Sequence, residues 1–247
     1  MYKNLADVYD VLMEDMPYTE WAGFLDAIIA DKASDSKKIL DLGSGTGSIS
    51  ILLSQKGYQL TNLDFSEEMI SQAKKKYNKA QAEADFVTMD IRDIKYQEEF
   101  DVAMSTFDTL NYFTDQEELA GIFKSTFDAV KPGGIFVFDM NTKYKFKKIL
   151  GEEVYTYNTD DLVYIWENYY DSQDRIIDID LSFFLKKEGS MYERFQEHHI
   201  QKYYPVSEVK NYLKKAGFTA IDVYQDLEFK KPEKKGIRNF FVARKPD

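Results

Sequence analysis

The 247-residue chain contains no cysteine. That excludes a disulfide framework, a thiolate nucleophile and any cysteine-based zinc site. It has only two histidines, His198 and His199, so a metal centre is not expected. No stretch approaches the roughly 18 consecutive apolar residues of a membrane span. The first residues, MYKNLADVYDVLMEDMPY, carry acids where a secretion signal has a basic stretch and an unbroken apolar run. The expectation is a soluble, cytoplasmic protein. Positive charge is in deficit as well. Lys and Arg total 32 against 43 Asp and Glu, a formal net charge of −11. A chain of this sign is repelled by a phosphate backbone, so neither nucleic acid nor a membrane is an expected partner.

Aromatic residues, by contrast, are abundant. There are 18 Phe, 18 Tyr and 2 Trp, 15% of the chain. Tyrosine offers a ring face and a polar tip together. The hydrophobic share of 44% and charged share of 30% are those of an ordinary globular protein. The length suits one large domain, or one domain carrying an insertion.

Helical spacing of Ala6, Tyr9 and Met13, then of Trp21, Phe24, Leu25 and Ile28, predicts one or two helices over 2–31, broken near Met16-Pro17. Strands are expected at 37–42, 58–64, 84–90, 100–106 and 135–140, the last after a KPGG turn. Helices are expected between them at 48–57, 66–80 (Ser66 as N-cap) and 115–130. Such alternation predicts a parallel α/β sheet. After about residue 155 the texture changes to long alternating runs at 162–170, 175–185 and 191–204, read as three antiparallel strands. A helix at 207–217 with Ser207 as N-cap follows, and a strand pair at 219–227 and 238–245 closes the chain.

The most informative segment is Asp41-Leu42-Gly43-Ser44-Gly45-Thr46-Gly47, between a strand and a helix. Glycines there allow a tight turn and close ligand approach, and the next helix starts with free N–H groups. The spacing is G-x-G-x-G; position 48 is Ser, so the dinucleotide pattern G-x-G-x-x-G is not met, and no P-loop is present. A carboxylate at Asp41 would repel a pyrophosphate and attract an ammonium or a sulfonium. Asp64 ends the second strand, 17 residues past Gly47, near the offset at which an acid meets ribose hydroxyls. Asp90 ends the third strand and can accept from an adenine amine, with Met89 and Ile91 against the ring.

ILDLGSGTG, LTNLDFSEEM, FVTMDIRD, FDVAMSTFDTLNYF and KPGGIFVFD, in that order and spacing over 37–140, resemble the motifs of class I S-adenosylmethionine-dependent methyltransferases. The resemblance implies a Rossmann-like seven-stranded sheet with helices on both faces, an antiparallel last strand, and S-adenosyl-L-methionine as cofactor. It places Asp41 and the loop Gly43, Ser44, Gly45, Gly47 against the methionine part and ribose. It places Asp64 on the ribose hydroxyls, Phe65 beside the adenine and Asp90 on its amine, with Met69, Met89 and Ile91 among the contacts. Thr106 and Phe107 would line the floor near the methionine. The insertion resembles the antiparallel sheet that covers the substrate in small-molecule N- and O-methyltransferases. The layout expected is 1–36 as a helical lid, 37–150 with 205–247 as the methyltransferase domain, and 151–204 as the inserted sheet.

Methyl transfer from a sulfonium needs positioning more than acid or base, so no catalytic triad is expected and none is visible. Candidates are His198 and His199, of which at most one faces a given pocket because neighbours on a strand point to opposite faces, and Asn111 and Tyr112 after the fourth strand. Tyr2, Tyr9, Tyr18 and Trp21 offer aromatic faces to a cation. A stripe of core residues is the ordinary alternative for Tyr9 and Trp21. A small-molecule acceptor is expected, in a monomer or homodimer. An RNA or protein methyltransferase, or a module that binds the cofactor without transfer, stays open. The N-P-P-[YF] tetrapeptide of base-amine methyltransferases is absent after the fourth strand, where STFD stands.

Overall fold

A computed structural model describes residues 5–247. Two helices lead the chain, α1 (Leu5–Leu12) and α2 (Tyr18–Lys32), and the break between them falls at Met16-Pro17 as expected. Then come β1 (Lys38–Leu42), α3 (Ser48–Ser54), β2 (Gln59–Asp64), α4 (Glu67–Ala80), β3 (Asp85–Thr88), β4 (Phe100–Ser105), α5 (Gln116–Ala129) and β5 (Val130–Asn141). A one-and-a-half-turn π-type helix at Lys145–Leu150 leads into β6 (Val154–Asn158), β7 (Leu162–Asp171), β8 (Ile176–Lys186) and β9 (Tyr192–Lys202). The chain ends with α6 (Val206–Ala216), β10 (Thr219–Gln225) and β11 (Arg238–Arg244).

The main sheet has seven strands in the order β10-β11-β5-β4-β1-β2-β3. β1 to β5 run parallel, while β11 pairs antiparallel with both β5 and β10. The strands are apolar on both faces, as a sheet covered on both sides requires. In β5, Ile135 and Val137 pack with Trp21, Leu25 and Ile28 of α2 and Ile49 and Leu53 of α3. Phe136 and Phe138 pack on the other face with Phe123 of α5 and Leu213 of α6. The strand order reverses between β1 and β4, and in such sheets the crevice outside the carboxyl ends at that point binds ligands.

A second, four-stranded antiparallel sheet, β6-β7-β8-β9, stands apart. It has one strand more than expected. The missed strand, Val154–Asn158, is a short edge strand whose alternation of exposed and half-buried residues is visible in V-Y-T-Y-N. Two other expectations need correction. Ser207 does not cap α6, because the helix starts at Val206 after Pro205, and the Pro205 carbonyl accepts the N–H groups of Glu208 and Val209. The strand expected at 135–140 extends back through KPGG to Val130, with an irregular register against β4. Ser66 does cap α4, accepting the Met69 N–H at 3.2 Å. Among the described residues, no helix is long and apolar enough to cross a membrane.

Candidate active site

The loop after β1 is built around Leu63 and Asp64 at the end of β2. Gly43 N and Ser44 N both donate to the Leu63 carbonyl, at 2.8 and 2.9 Å. Asp64 accepts Gly45 N–H on Oδ2 and Ser66 N–H on Oδ1, each at 2.9 Å. One carboxylate thus ties the glycine loop to the start of α4. Gly43 has φ +72°, and a Cβ there would collide with the Thr109 methyl. Gly45 has φ +54° and open space where its Cβ would stand. These two positions explain why glycine is needed, one for close packing and one for a left-handed turn that leaves room above it.

Asp41 lies beneath the loop, almost fully buried. Burial pushes its carboxyl up to about 7 against the pull of the Ser50 hydroxyl, and the nearby Asp64 charge adds to the rise. Among the described residues, neither Asp41 Oδ1 nor Ser44 Oγ has a hydrogen-bond partner. Buried polar side-chain atoms are nearly always satisfied, and Asp41 Oδ1 and Ser44 Oγ are exceptions at the glycine loop.

The remaining expected residues divide. Phe65 presents its ring at the rim, 54% exposed. Asp90 caps a 3-10 turn at Ile91–Asp93 and is already engaged by Arg92. Oδ1 accepts Arg92 N (2.9 Å) and Nε (3.1 Å), and Oδ2 accepts Nη2 (2.7 Å). That guanidinium holds the Asp90 carboxyl below its usual range. Ile91 is buried and Met89 half-buried, both in the cluster shared with α5. Met69 is buried in an apolar cluster with Ala6 and Val8 of α1 and Leu162 and Phe183 of the second sheet; Tyr9 packs against the same cluster. Trp21 is buried and stacks on Phe107 at 4.3 Å, with Tyr18 edge-on to Phe107 at 5.6 Å. Thr106 is buried, and its carbonyl accepts from the Thr109 hydroxyl at 2.9 Å. Tyr2 lies outside the described residues.

Among the four candidates for chemistry, two are set aside by their placement. His198 points to the outer face of the second sheet, exposed, with Nδ1 2.8 Å from Asp180. Asn111 is fully buried and its amide is consumed structurally. It donates to the Lys202 carbonyl (2.7 Å) and accepts from Asn141 N–H (2.9 Å), tying β9 to β5. His199 points inward, and Tyr112 meets its ring edge-on at 5.7 Å. Burial pushes His199 down to about 4, with the His198 charge adding to it, so it is neutral at physiological pH.

Two features escaped the sequence reading. One is a polar knot that pins α1 to the glycine loop. Asp10 accepts from the Thr46 hydroxyl (2.7 Å) and from Lys76 Nζ (2.9 Å), and Lys76 also reaches Ser48 Oγ (2.7 Å). Asp10→Ala is expected to speed amide exchange in α1 by roughly 2- to 5-fold, the scale of a half-exposed ion pair, without changing exchange in α5. Exchange mass spectrometry checks this; an α1 exchange rate unchanged from the wild type would show that Asp10 does not hold α1. The other feature is a buried charge cluster beside Phe107. Arg238 pairs with Asp108 (2.9 Å) and with Asp139, and Gln201 donates to Asp108 at 2.6 Å. Lys145 donates to Asn141 Oδ1 at 2.9 Å, and its ammonium is pushed down to about 8, chiefly by burial and then by Arg238. No motif announces this cluster, because its members come from four separate segments.

The arrangement matches known proteins. Residues 39–134 match the family described as a methyltransferase domain. A Bacillus subtilis (strain 168) protein designated a methyltransferase, YqeM, is 35% identical over 99% of this chain and 97% of its own length. An S-adenosylmethionine-dependent methyltransferase from Clostridium acetobutylicum superposes with a TM-score of 0.88 at 28% identity, covering 100% of this chain and 99% of that one. The sugar N-methyltransferase KedS8 from Streptoalloteichus shares the fold, with a TM-score of 0.80 at 15% identity over 97% of this chain and 93% of its own. With its strand order, its Asp-anchored glycine loop and these likenesses, the chain belongs to the class I S-adenosylmethionine-dependent methyltransferases.

Proposed function

We propose that this protein transfers the methyl group of S-adenosylmethionine to a small-molecule acceptor by in-line displacement. The observation that carries the reading is the cover over the strand ends. α1 and the second sheet meet there around Met69, Leu162 and Phe183, and the buried face of that sheet is aromatic and free of lysine and arginine. A polymer acceptor needs an open track, and a nucleic acid needs a basic one. The net charge of −11 agrees, and KedS8, which shares the fold, acts on a sugar.

The residues fit the methyl donor. Among the described residues Asp41 Oδ1 and Ser44 Oγ are buried without partners, and Gly45 leaves open space above it. In this reading Asp41 and the Gly43–Gly47 loop hold the cationic amino-acid end, and Asp64 the ribose hydroxyls. Phe65, Met89 and Ile91 flank the base, and Asp90 uses its remaining lone pair on the base amine. Phe107, stacked on Trp21, and Thr106 form the floor near the sulfonium, and α1 with Tyr9 acts as a lid. The bound donor supplies an electrophilic methyl carbon on a positively charged sulfur. The chain's part is to fix the nucleophile in line with it and to exclude water, a contribution that reaches several kcal/mol without acid or base.

Calorimetric titration tests this. S-adenosylmethionine and S-adenosylhomocysteine are expected to bind in the range of about 1–100 μM (roughly −8 to −5.5 kcal/mol) and NAD not at all. Binding of NAD, or of none of the three, would reject the reading.

A further inference from the structure

An open sheet ends in strands that carry a row of unpaired backbone groups. Folded chains blunt such edges with charge, a bulge, shortness or a cover. Three of the four edges here are treated this way. β3 is four residues long and starts at Asp85. β10 has an irregular register between Thr219 and Asp222, and Asp222 is paired to Lys32 at 3.0 Å. β9 bears Glu193, Arg194, Glu197 and His198, and its end is tied down: Lys202 Nζ donates to the Thr114 carbonyl at 2.8 Å, and the Lys202 carbonyl accepts from Asn111 at 2.7 Å. β6 is different. Val154-Tyr155-Thr156-Tyr157-Asn158 holds no charge, proline or glycine, and its register on β7 is unbroken. Val, Tyr and Thr are residues that favour strands.

The ladder shows which groups of β6 face outward. Asn168 N donates to the Glu153 carbonyl at 3.2 Å, and Thr159 N to the Leu162 carbonyl at 3.0 Å, one at each end of the strand. Bonded residues alternate along an antiparallel pair, so Glu153, Tyr155, Tyr157 and Thr159 direct their backbone groups to β7. Those of Val154, Thr156 and Asn158 point away from it. These three residues are exposed, and among the described residues β6 ends its sheet. The segment also reads almost alike in both directions about Thr156, with a tyrosine on either side. Both tyrosines lie on the covered face, Tyr155 5.6 Å from the Trp166 ring and Tyr157 stacked on Tyr164 at 5.4 Å.

We propose that two copies of this chain pair antiparallel through β6, about a twofold axis at Thr156, joining their second sheets into one. Thr156 then faces Thr156, and Val154 faces Asn158 on each side. These residues exchange both N–H and C=O bonds, which satisfies the outward row on both copies. The row is the same on each partner, as an isologous contact requires. The tyrosines decide between a copy and an unrelated strand. Tyr155 of one copy meets Tyr157 of the other at the closely spaced, non-bonded positions, where aromatic pairs add to sheet stability. A copy offers a ring to each tyrosine; an unrelated strand does so only by chance. Charge limits the contact. Glu152 and Glu153 precede the strand and Asp160 and Asp161 follow it, so acids of the two copies approach at both ends. Lys186, 3.8 Å from Asp161, offsets part of this. The pairing is thus confined to the uncharged segment, and salt strengthens it.

Sedimentation equilibrium on the full chain tests this. The wild type is expected to dimerise with a dissociation constant of about 1–100 μM, tightening at least about twofold between about 0.05 and 0.5 M salt. Thr156→Lys sets two ammonium groups opposite each other across the axis and should weaken association by about tenfold or more. Its circular dichroism should be unchanged, because the side chain at 156 is exposed and its backbone gives no bond to β7. The chain has no cysteine, so Thr156→Cys carries a single thiol. Opposed Cα atoms about 5.5 Å apart lie within disulfide reach, and mild oxidation should give a covalent dimer. Gln173→Cys, exposed in the turn between β7 and β8, should not. A chain that stays monomeric up to about 1 mM would overturn the proposal. So would association that salt weakens, a dimer as tight in Thr156→Lys as in the wild type, or crosslinking no faster in Thr156→Cys than in Gln173→Cys. The crosslinking comparison decides even if Thr156→Lys folds poorly.

Discussion

Arg238→Met is expected to destabilise the protein by about 3–5 kcal/mol, the cost of removing one partner from a buried ion cluster. Arg238 leaves β11 beneath the glycine loop's neighbour Phe107, 8% exposed, and its guanidinium lies 5.2 Å from the Trp21 ring. It faces Asp139, which is fully enclosed, and Asp108, which is half-buried. Burial alone would raise both carboxyls. For Asp108, the charges of Arg238 and Lys145 and the bond from Gln201 outweigh burial, and it titrates below its usual range. For Asp139, burial and the Asp108 charge prevail over Arg238, and it titrates above it. Methionine fills similar volume but leaves two carboxylates with only Lys145 nearby. Thermal unfolding checks the prediction. At this chain length the midpoint should fall by roughly 6–20 °C.

The sign of the pH dependence follows. In the wild type, the Asp108 contribution is present above its unfolded value of about 3.9 and lost as pH falls through its lower folded value. Asp139 works oppositely, its contribution being lost as pH rises through its raised folded value. The Arg238→Met defect should therefore shrink in acid, where neither carboxyl needs a counter-ion. A midpoint shift under about 2 °C at neutral pH would show that water or rearrangement replaces the guanidinium. The cluster also holds a strained turn. Phe107 and Asp108 both have positive φ, +57° and +54°, at a combined cost of about 2–6 kcal/mol for two non-glycine residues. Asp108 N–H donates to Asp139 Oδ2 at 3.0 Å, which helps keep that turn in place. The conformation aims Phe107 at Trp21, so the stability of the cluster and the shape of the floor are one problem.

Local signals made the main sheet legible. Each βα unit carries its own hydrophobic run, cap and stop, as in Leu60 and Leu63 followed by Ser66, so the order of elements could be read without tertiary knowledge. The glycine loop was legible for the same reason. Asp41, Gly43, Gly45 and Asp64 act within one βαβ unit, and the structure brings them together. What stayed hidden depends on long-range partners. The Arg92 side chain on Asp90 is near in sequence, but its choice of Asp90 and Glu118 together requires the packing of α5. Met69 has helical spacing suited to either side of the cleft, and only the docking of α1 and the second sheet decides its direction. The charge cluster joins positions 108, 139, 145, 201 and 238. No spacing rule relates residues so far apart. His199 could be separated from His198 by alternation, but not assigned to the inner face without the register of β9 on β8.

Asp64→Ala is expected to weaken S-adenosylmethionine binding by about 10- to 100-fold, the range of one or two charge-assisted hydrogen bonds of about 1.5–3 kcal/mol. Two losses combine. The carboxylate assigned to the ribose hydroxyls disappears, and Gly45 N–H and Ser66 N–H lose their acceptor, so the loop and the start of α4 are no longer held together. Asp64→Asn separates the two effects. An amide oxygen can keep one backbone bond and shape, but it offers no second anionic oxygen. Affinity for Asn should fall between wild type and Ala, with a smaller change in unfolding temperature. Both variants also remove the Asp64 charge that adds to the rise of Asp41. Asp41 should therefore ionise at lower pH, partly restoring attraction for the cationic end of the ligand. Its signature is a flatter dependence of affinity on pH between about 6 and 8 than in the wild type, where ionising Asp41 near 7 should tighten binding as pH rises. Calorimetry across that range measures both effects in one series. Unchanged affinity in Asp64→Ala would remove Asp64 from the donor site and leave it a purely structural clasp.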